Sequence, residues 1–230
     1  MNIQQVDEAT RRLVEVGVRV LSPFMLGDSE VAHVDRLLQW LRPPTGARIL
    51  DAGSGTGEVA RLMFARRPDL SFTLLNVSRY QLSLSPDWAR QVCASFEATG
   101  EPAGFYDLVL FSQSIEHAED LAAVLCEAAR VTRRGGCVAI FGMADRGGDM
   151  QRMRATLSSH ARTVECVVDA AVAAGMVLES EAPADGWAPI GNRLVTAPDF
   201  EAAFAGVSPH FWRFTNVGPP GGNPAATVGA

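Results

Sequence analysis

The chain has 230 residues, 47% of them hydrophobic, and carries a formal charge of −6 at pH 7. That size and composition are those of one soluble globular domain whose core needs no covalent staples. The acidic balance excludes a nucleic-acid groove as the main surface, because phosphate contacts need a basic patch, and no apolar run approaches the ~20 residues of a membrane span.

All 20 basic residues are arginines, which rules out lysine-based catalysis. Cys93, Cys126, Cys137 and Cys166 form no C-x-x-C pair, so they are read as four buried free thiols of a reducing compartment and no metal is expected. The opening residues lack the basic-then-apolar layout of a signal peptide. A cytoplasmic protein is the reading.

Val6, Leu13, Val16 and Val20 share one helical face, and Pro23 is expected to end that helix. A second helix, capped by Asp28 or Ser29, places Val31, Val34, Leu37, Leu38 and Leu41 at helical spacing before Pro43 and Pro44. Strands and helices then alternate. Strands are predicted at 48–51, 71–77, 91–94, 106–111, 136–141 and 176–180, with helices at 58–67, 121–131 and around 164–172, the last capped by Gly175. The pattern means a parallel sheet covered on both faces, with right-handed crossovers. A last strand at 210–217 is expected to run antiparallel and complete a seven-stranded sheet. The final stretch, 218–230, is rich in Gly, Pro and Ala and is read as a flexible tail without function.

The stretch "ILDAGSGTGEVARLM" (49–63) follows the first of those strands. In an open parallel sheet, ligands sit at the carboxyl ends of the strands where the strand order reverses, so this loop is the default site. Gly53, Gly55 and Gly57 let backbone turn sharply and approach a ligand closely. No Gly-Lys-Ser/Thr follows, which excludes a phosphate loop, and G-x-G-x-G is not the dinucleotide spacing G-x-G-x-x-G. A purely structural tight turn remains the alternative.

With its surroundings from about 46 to 180, the stretch resembles motif I of the class I S-adenosylmethionine (SAM) dependent methyltransferases. The resemblance implies a Rossmann-like α/β fold over 1–217, in which the N-terminal helices (1–42) form part of the acceptor cover, and S-adenosyl-L-methionine as cofactor. It places Asp51 at the cofactor's amino end and the loop Gly53, Ser54, Gly55 and Gly57 along its methionine part. Such enzymes commonly end the second strand with an acid that holds the ribose, where "LLNVSRYQLSL" has Asn76. The same segment is similar to a subgroup comprising cyclopropane and mycolic acid synthases, tocopherol and isoprenoid C-methyltransferases and antibiotic-sugar O-methyltransferases, in which a glutamine shares the ribose. That role falls on Gln81, whose alternative is a solvated helix start. In "CASFEA" the resemblance puts Ser95 at the adenine amine and Phe96 on the ring, a core role for Phe96 being the alternative. Val77 and Ser112 complete the implied cofactor set.

"FSQSIEHAEDL" follows the fourth strand at the same sheet edge. Glu116 and His117 are the catalytic candidates, as a base or as a carbocation stabiliser, against a bland role in capping the next helix. Cyclopropane synthases also use a histidine where this chain has Phe141, and a cysteine ahead of any present here, so cyclopropanation is not expected. Arg146, Arg152 and Arg154 are candidates for an anionic acceptor clamp or for a solvated face. Phe200, Phe204, Phe211, Trp212 and Phe214 offer either an apolar acceptor wall or packing of the last strand. The function expected is SAM-dependent methylation of a small molecule, a natural-product intermediate of secondary metabolism being the candidate, without nucleic acid or membrane and with a homodimer as the candidate assembly. A cyclase keeping SAM only as structure, a non-catalytic SAM-binding partner and an enzyme of primary metabolism stay open, since fold does not fix function.

Overall fold

The structure, a computed structural model, describes residues 3–17, 19, 24–151, 153, 159–189 and 206–218. Among these the order is α1 (Ile3–Glu15), β1 (Phe24–Leu26), α2 (Glu30–Leu41), β2 (Arg48–Ala52), α3 (Glu58–Arg66), β3 (Ser71–Asn76), α4 (Arg79–Ser83) and β4 (Arg90–Cys93). There follow β5 (Tyr106–Ser112), a 3-10 turn (Ile115–His117), α5 (Leu121–Val131), β6 (Thr132–Asp145), α6 (Val164–Ala173), β7 (Met176–Pro183), β8 (Trp187–Pro189) and β9 (Val207–Asn216).

Seven strands form one sheet in the order β4-β3-β2-β5-β6-β9-β7. The first five run parallel, and β9 is antiparallel to both of its neighbours, as expected for the last strand. The order reverses between β2 and β5, so their carboxyl ends open a crevice at the switch point. Side chains alternate between two cores. On one face Val109, Phe111, Val138, Ile140, Trp212 and Phe214 meet α5 and α6 through Val124, Leu125, Val167 and Ala171. On the other, Ile49, Leu74, Leu108, Leu110 and Phe141 meet α2 and α3 through Val34, Leu37, Ala60 and Met63. Burial on both faces explains why β2, β3 and β5 read as continuous apolar runs instead of alternating ones.

Several boundaries differ from the sequence reading. The first helix stops at Glu15, because Gly17 turns into the left-handed region (φ +84°) and leaves Val16 70% exposed. Of the two cap candidates, Ser29 is the one used: its side chain accepts the Ala32 N–H at 3.2 Å. β6 runs for 14 residues, more than twice the predicted strand: it already pairs with β5 at Thr132, and β9 carries it on over 142–145, past the last β5 pair at Phe141. β1 and β8 form a small antiparallel ribbon that three-residue segments gave no period to detect. Cys137 alone is buried, its thiol pushed up to about 11 by desolvation, whereas Cys93, Cys126 and Cys166 are exposed, contrary to the four buried thiols expected. All four are free. The proposed tail lies outside the described residues beyond 218.

The third glycine of the loop answers to packing. Gly57 caps α3 at φ +73°, and a Cβ there would stand 2.8 Å from Leu74 Cδ1 and 2.9 Å from Pro86 Cδ. Gly57→Ala is expected to lower stability by ~1–3 kcal/mol, from left-handed strain plus crowding of β3. Thermal unfolding measures this, and an unchanged melting temperature would contradict it.

Candidate active site

The crevice is built by two loops that lock onto each other. After β2, the N–H groups of Gly53 and Ser54 both donate to the Leu75 carbonyl, at 2.8 and 3.1 Å, tying the glycine loop to the end of β3. After β5, the Ser114 hydroxyl donates to the Ala52 carbonyl at 2.6 Å. Ser114 Cβ then fills the space that a Cβ on Gly53 (φ +83°) would need, and Phe96 Cε1 closes the same position at 3.2 Å. Gly53 and Gly57 are therefore demanded by protein contacts. Gly55, at φ +56°, forms the turn between them. Thr56 closes the loop from outside by donating to the Arg19 carbonyl at 2.8 Å.

Within this frame several polar atoms have no partner. Asp51 is 2% exposed and its Oδ2 accepts no hydrogen bond; burial pushes its carboxyl up to about 7. Ser54 Oγ and Ser112 Oγ are buried and equally unpartnered. A buried polar atom without a partner costs ~1–3 kcal/mol, so such a cluster marks where a polar ligand completes the structure. For Asp51 the chemistry that fits is a cation with N–H donors.

At the end of β3, Asn76 and Gln81 are each 6% exposed, which removes the solvated alternative for Gln81. Asn76 Nδ2 donates to Gln81 Oε1 at 2.7 Å and, longer, to the Gly55 carbonyl at 3.4 Å. Asn76 Oδ1 accepts the Ser78 N–H at 2.9 Å. The two expected ribose residues are thus brought together and joined to the glycine loop. Val77 lies half-buried beside them, its carbonyl taking the Cys93 thiol at 3.6 Å. Farther along, Ser95 makes a turn by accepting the Glu97 N–H at 3.3 Å. Phe96 sits edge-on to Phe111, 5.8 Å between ring centres, so it combines packing against the core with a place at Gly53.

Glu116 is 2% exposed and lies on the other side of the crevice. Its Oε1 accepts the Met143 N–H and occupies the space a side chain on Gly142 would fill, while Oε2 has no partner. Desolvation pushes this carboxyl up to about 7. Capping of α5 falls instead to Asp120, whose side chain accepts the Ala123 N–H at 3.0 Å, so the capping role considered for Glu116 is ruled out. His117 is half-buried in the same turn, held by its N–H to the Ser114 carbonyl at 3.0 Å. The turn is anchored from outside by the His160 N–H on the Glu116 carbonyl (2.6 Å) and by Arg162 on the Ala118 carbonyl (2.9 Å).

Sequence reasoning missed Ser114 and two neighbours. Gln113 takes a left-handed conformation (φ +53°) unusual for glutamine and clamps β1, accepting the Phe24 N–H at 3.1 Å and donating to its carbonyl at 2.6 Å. His33 is buried against Phe141, with Nδ1 accepting the Leu26 N–H at 3.1 Å. That bond puts the proton on Nε2, which has no partner, and burial lowers the imidazole to about 4. Positive φ and tautomer leave no trace in a sequence.

The acceptor wall is mostly core: Trp212 and Phe214 pack under α5 and α6, and Phe211 lies between Phe141 and Trp40 at 4.9 and 4.4 Å. Arg146 is engaged by β9, through Ser208 at 3.2 Å and His210 at 3.1 Å. Arg152, Arg154, Phe200 and Phe204 lie outside the residues whose side chains are described. A separate depression of about 450 Å³, lined by Leu26, Arg36, Trp40, Asp185 and Phe211 among others, shares no residue with the crevice. Among the described residues no group of His, Cys, Asp and Glu is placed to hold a metal, and no helix is long and apolar enough to cross a membrane.

Residues 50–140 match a family model described as a methyltransferase domain. A malonyl-[acyl-carrier protein] O-methyltransferase of Halorhodospira halophila is 33% identical over 150 residues, covering 60% of this chain and 50% of that protein. A 27-O-demethylrifamycin SV methyltransferase of Amycolatopsis mediterranei is 31% identical over 124 residues, covering 50% and 45%. The chain thus spans about half the length of these curated relatives. Among solved structures, geranyl diphosphate C-methyltransferase of Streptomyces coelicolor A3(2) superposes with a TM-score of 0.74 at 15% identity, over 91% of this chain and 92% of that one. The cyclase SpnF superposes at 0.72 and 17% identity, over 96% and 98%. The β-strand order, the glycine loop at the switch point and the family match agree: the chain has the Rossmann-like fold of the class I SAM-dependent methyltransferases, and its residues 50–140 match the methyltransferase-domain model.

Proposed function

We propose that the protein binds S-adenosyl-L-methionine in the crevice between β2 and β5 and methylates a small molecule. The observation that carries this reading is the buried, unpartnered Asp51 Oδ2 beside the glycine loop. A carboxyl pushed up to about 7 by burial is a poor stand-alone feature, yet it becomes a strong charge-assisted acceptor once a cationic amino group is brought to it. When bound, the cofactor supplies an electrophilic methyl group on a sulfonium. Asn76 and Gln81 are assigned to its ribose, Ser95 and Phe96 to its adenine, and Ser54, Val77 and Ser112 to the remaining wall.

The chain's own part in transfer is alignment and exclusion of water, which dominate in-line displacement. Glu116 adds a proton site. With its carboxyl near 7, Oε1 fixed by Met143 N–H and Oε2 unengaged, it accepts a proton from an acceptor at neutral pH or stabilises a developing cation. His117 in the same turn is the second candidate. The acceptor class is a small, largely apolar molecule, with a natural-product intermediate favoured by the likeness to the rifamycin methyltransferase and to the geranyl diphosphate enzyme. A cyclase that leaves its cofactor intact is the second reading, favoured by the near full-length likeness to SpnF.

Asp51→Asn separates stability from binding. The folded carboxyl is raised above its unfolded value of 3.8, so its contribution is fully present below about 4 and is lost as pH rises through about 7. Replacing it with a neutral amide is expected to stabilise the ligand-free protein at pH 8 by ~1–3 kcal/mol while abolishing most S-adenosylhomocysteine affinity. Denaturant titration and calorimetry read the two effects. Lower stability with intact binding would overturn the assignment of Asp51.

Turnover distinguishes transferase from cyclase. One S-adenosylhomocysteine per product is expected, and Glu116→Gln is expected to slow transfer by ~10²–10⁴-fold with the fold intact if proton transfer is required. Product formed without loss of the cofactor's methyl group would replace the transferase reading with the cyclase one.

A further inference from the structure

The hydrogen bonds around Asn76 continue beyond the domain core into α1. Gln81 Nε2 donates to Thr10 Oγ1 at 2.7 Å, and Ser78 Oγ donates to Asp7 Oδ1 at 2.5 Å. Ser78 Oγ also caps α4 by accepting the Gln81 N–H at 2.9 Å, and Arg11 lies over the Tyr80 ring at 4.5 Å. One turn of α1 therefore holds the whole segment from Ser78 to Gln81.

Every polarity in this chain of bonds is determined. Asn76 Oδ1 must face the Ser78 N–H, so Nδ2 faces Gln81, whose Oε1 must accept; Gln81 Nε2 is then left to donate to Thr10. Thr10 accepts because its own proton goes to the Val6 carbonyl at 2.8 Å. Such back-bonding slightly weakens a helix, and threonine is a modest helix former, so residue 10 favours the contact over helix propensity. It is 2% exposed on a helix that is otherwise largely exposed. What the network leaves uncommitted is one lone pair on Asn76 Oδ1, one on Gln81 Oε1 and one N–H on Gln81. An acceptor and a donor side by side match a vicinal diol, in which one hydroxyl donates and the other accepts.

We propose that Thr10 and Asp7 of α1 are positioning residues for the ribose of the cofactor, holding the Gln81 and Asn76 amides in the single orientation that presents this acceptor and donor. The inference rests on the reading that the crevice binds SAM. Thr10 acts through Gln81, and Asp7 acts through Ser78 and the start of α4. Without the hydroxyl of Thr10, the Gln81 amide keeps only its Asn76 contact at Oε1 and loses the acceptor that holds Nε2.

The test is titration calorimetry of the full chain with S-adenosylhomocysteine and with its 2′,3′-dideoxy analogue, using wild type, Thr10→Val, Thr10→Ser and Asp7→Ala. Thr10→Val is expected to weaken S-adenosylhomocysteine binding by about 5- to 30-fold, the scale of a buried hydrogen bond, and to change binding of the dideoxy analogue less than twofold. Thr10→Ser restores the wild-type value, and Asp7→Ala shows the same ligand selectivity with a smaller loss. Equal losses for both ligands would mean that α1 serves only stability, and unchanged binding in both Thr10→Val and Asp7→Ala would remove any role for it; either result overturns the proposal. Failure of wild type to bind S-adenosylhomocysteine would instead overturn the SAM reading itself, and this proposal with it.

Discussion

The site depends on one contact between two loops. Ser114, leaving β5, donates its hydroxyl to the carbonyl of Ala52, the last residue of β2, and lays its Cβ where any side chain on Gly53 would have to be. The strand order diverges at this point, so no sheet hydrogen bonds continue above it to set the spacing of the loops. Ser114 sets it. The same residue accepts the His117 N–H through its backbone, so the turn bearing Glu116 is referenced to the glycine loop through one serine. The glycine loop and the turn bearing Glu116 are thereby placed relative to each other through a single hydrogen bond, a precision that would suit the proposed in-line displacement.

Two buried carboxyls face this junction, and their environments differ in kind. Asp51 and Glu116 are equally buried and both pushed up to about 7 by desolvation. Natural folds rarely keep such groups without a use, since each is a local loss of stability that a neutral side chain would avoid. Together with the unpartnered Ser54 and Ser112 hydroxyls they concentrate in the crevice a local cost in stability that supports the proposed binding role. The edges of the sheet show the contrast. There Glu101 is held below the usual carboxylate value by the guanidinium of Arg90, with the Tyr106 hydroxyl also donating to it.

Much of the fold was legible because burial on both faces forces β2, β3, β5 and β6 into apolar runs, and because turn chemistry marks their ends. Ser29, Pro43 and Gly175 each stand where an element begins or stops. The first helix reads too long because Val16 and Val20 keep the helical period in sequence, whereas the helix ends at Glu15 and the chain turns at Gly17. β6 reads too short because both of its ends are specified by pairing, Thr132 with Tyr106 of β5 and 142–145 with β9, and pairing is a non-local fact. In the site, the glycine loop and the Asn76–Gln81 pair were visible through residue type and spacing. Ser114, Gln113, His33 and Thr10 were not: serine, glutamine, histidine and threonine become informative only when their partners are known, and those partners come from other elements.

The two carboxyls also indicate how the chain divides labour between itself and its ligands. Glu116 has a backbone donor at Met143 and a glycine at 142 that makes room for its Oε1, so the protein itself fixes where this oxygen sits and leaves only Oε2 to a reactant. For Asp51 Oδ2 the described residues provide no such donor, and burial alone raises the carboxyl. A pre-placed group suits chemistry, where geometry must exist before the reaction begins. A group completed by its ligand suits binding, because the charge it acquires on contact is largest for a cationic partner and absent for a neutral one. By that division the β2 side of the crevice is suited to selecting a ligand, and the β5 side to holding a reacting group.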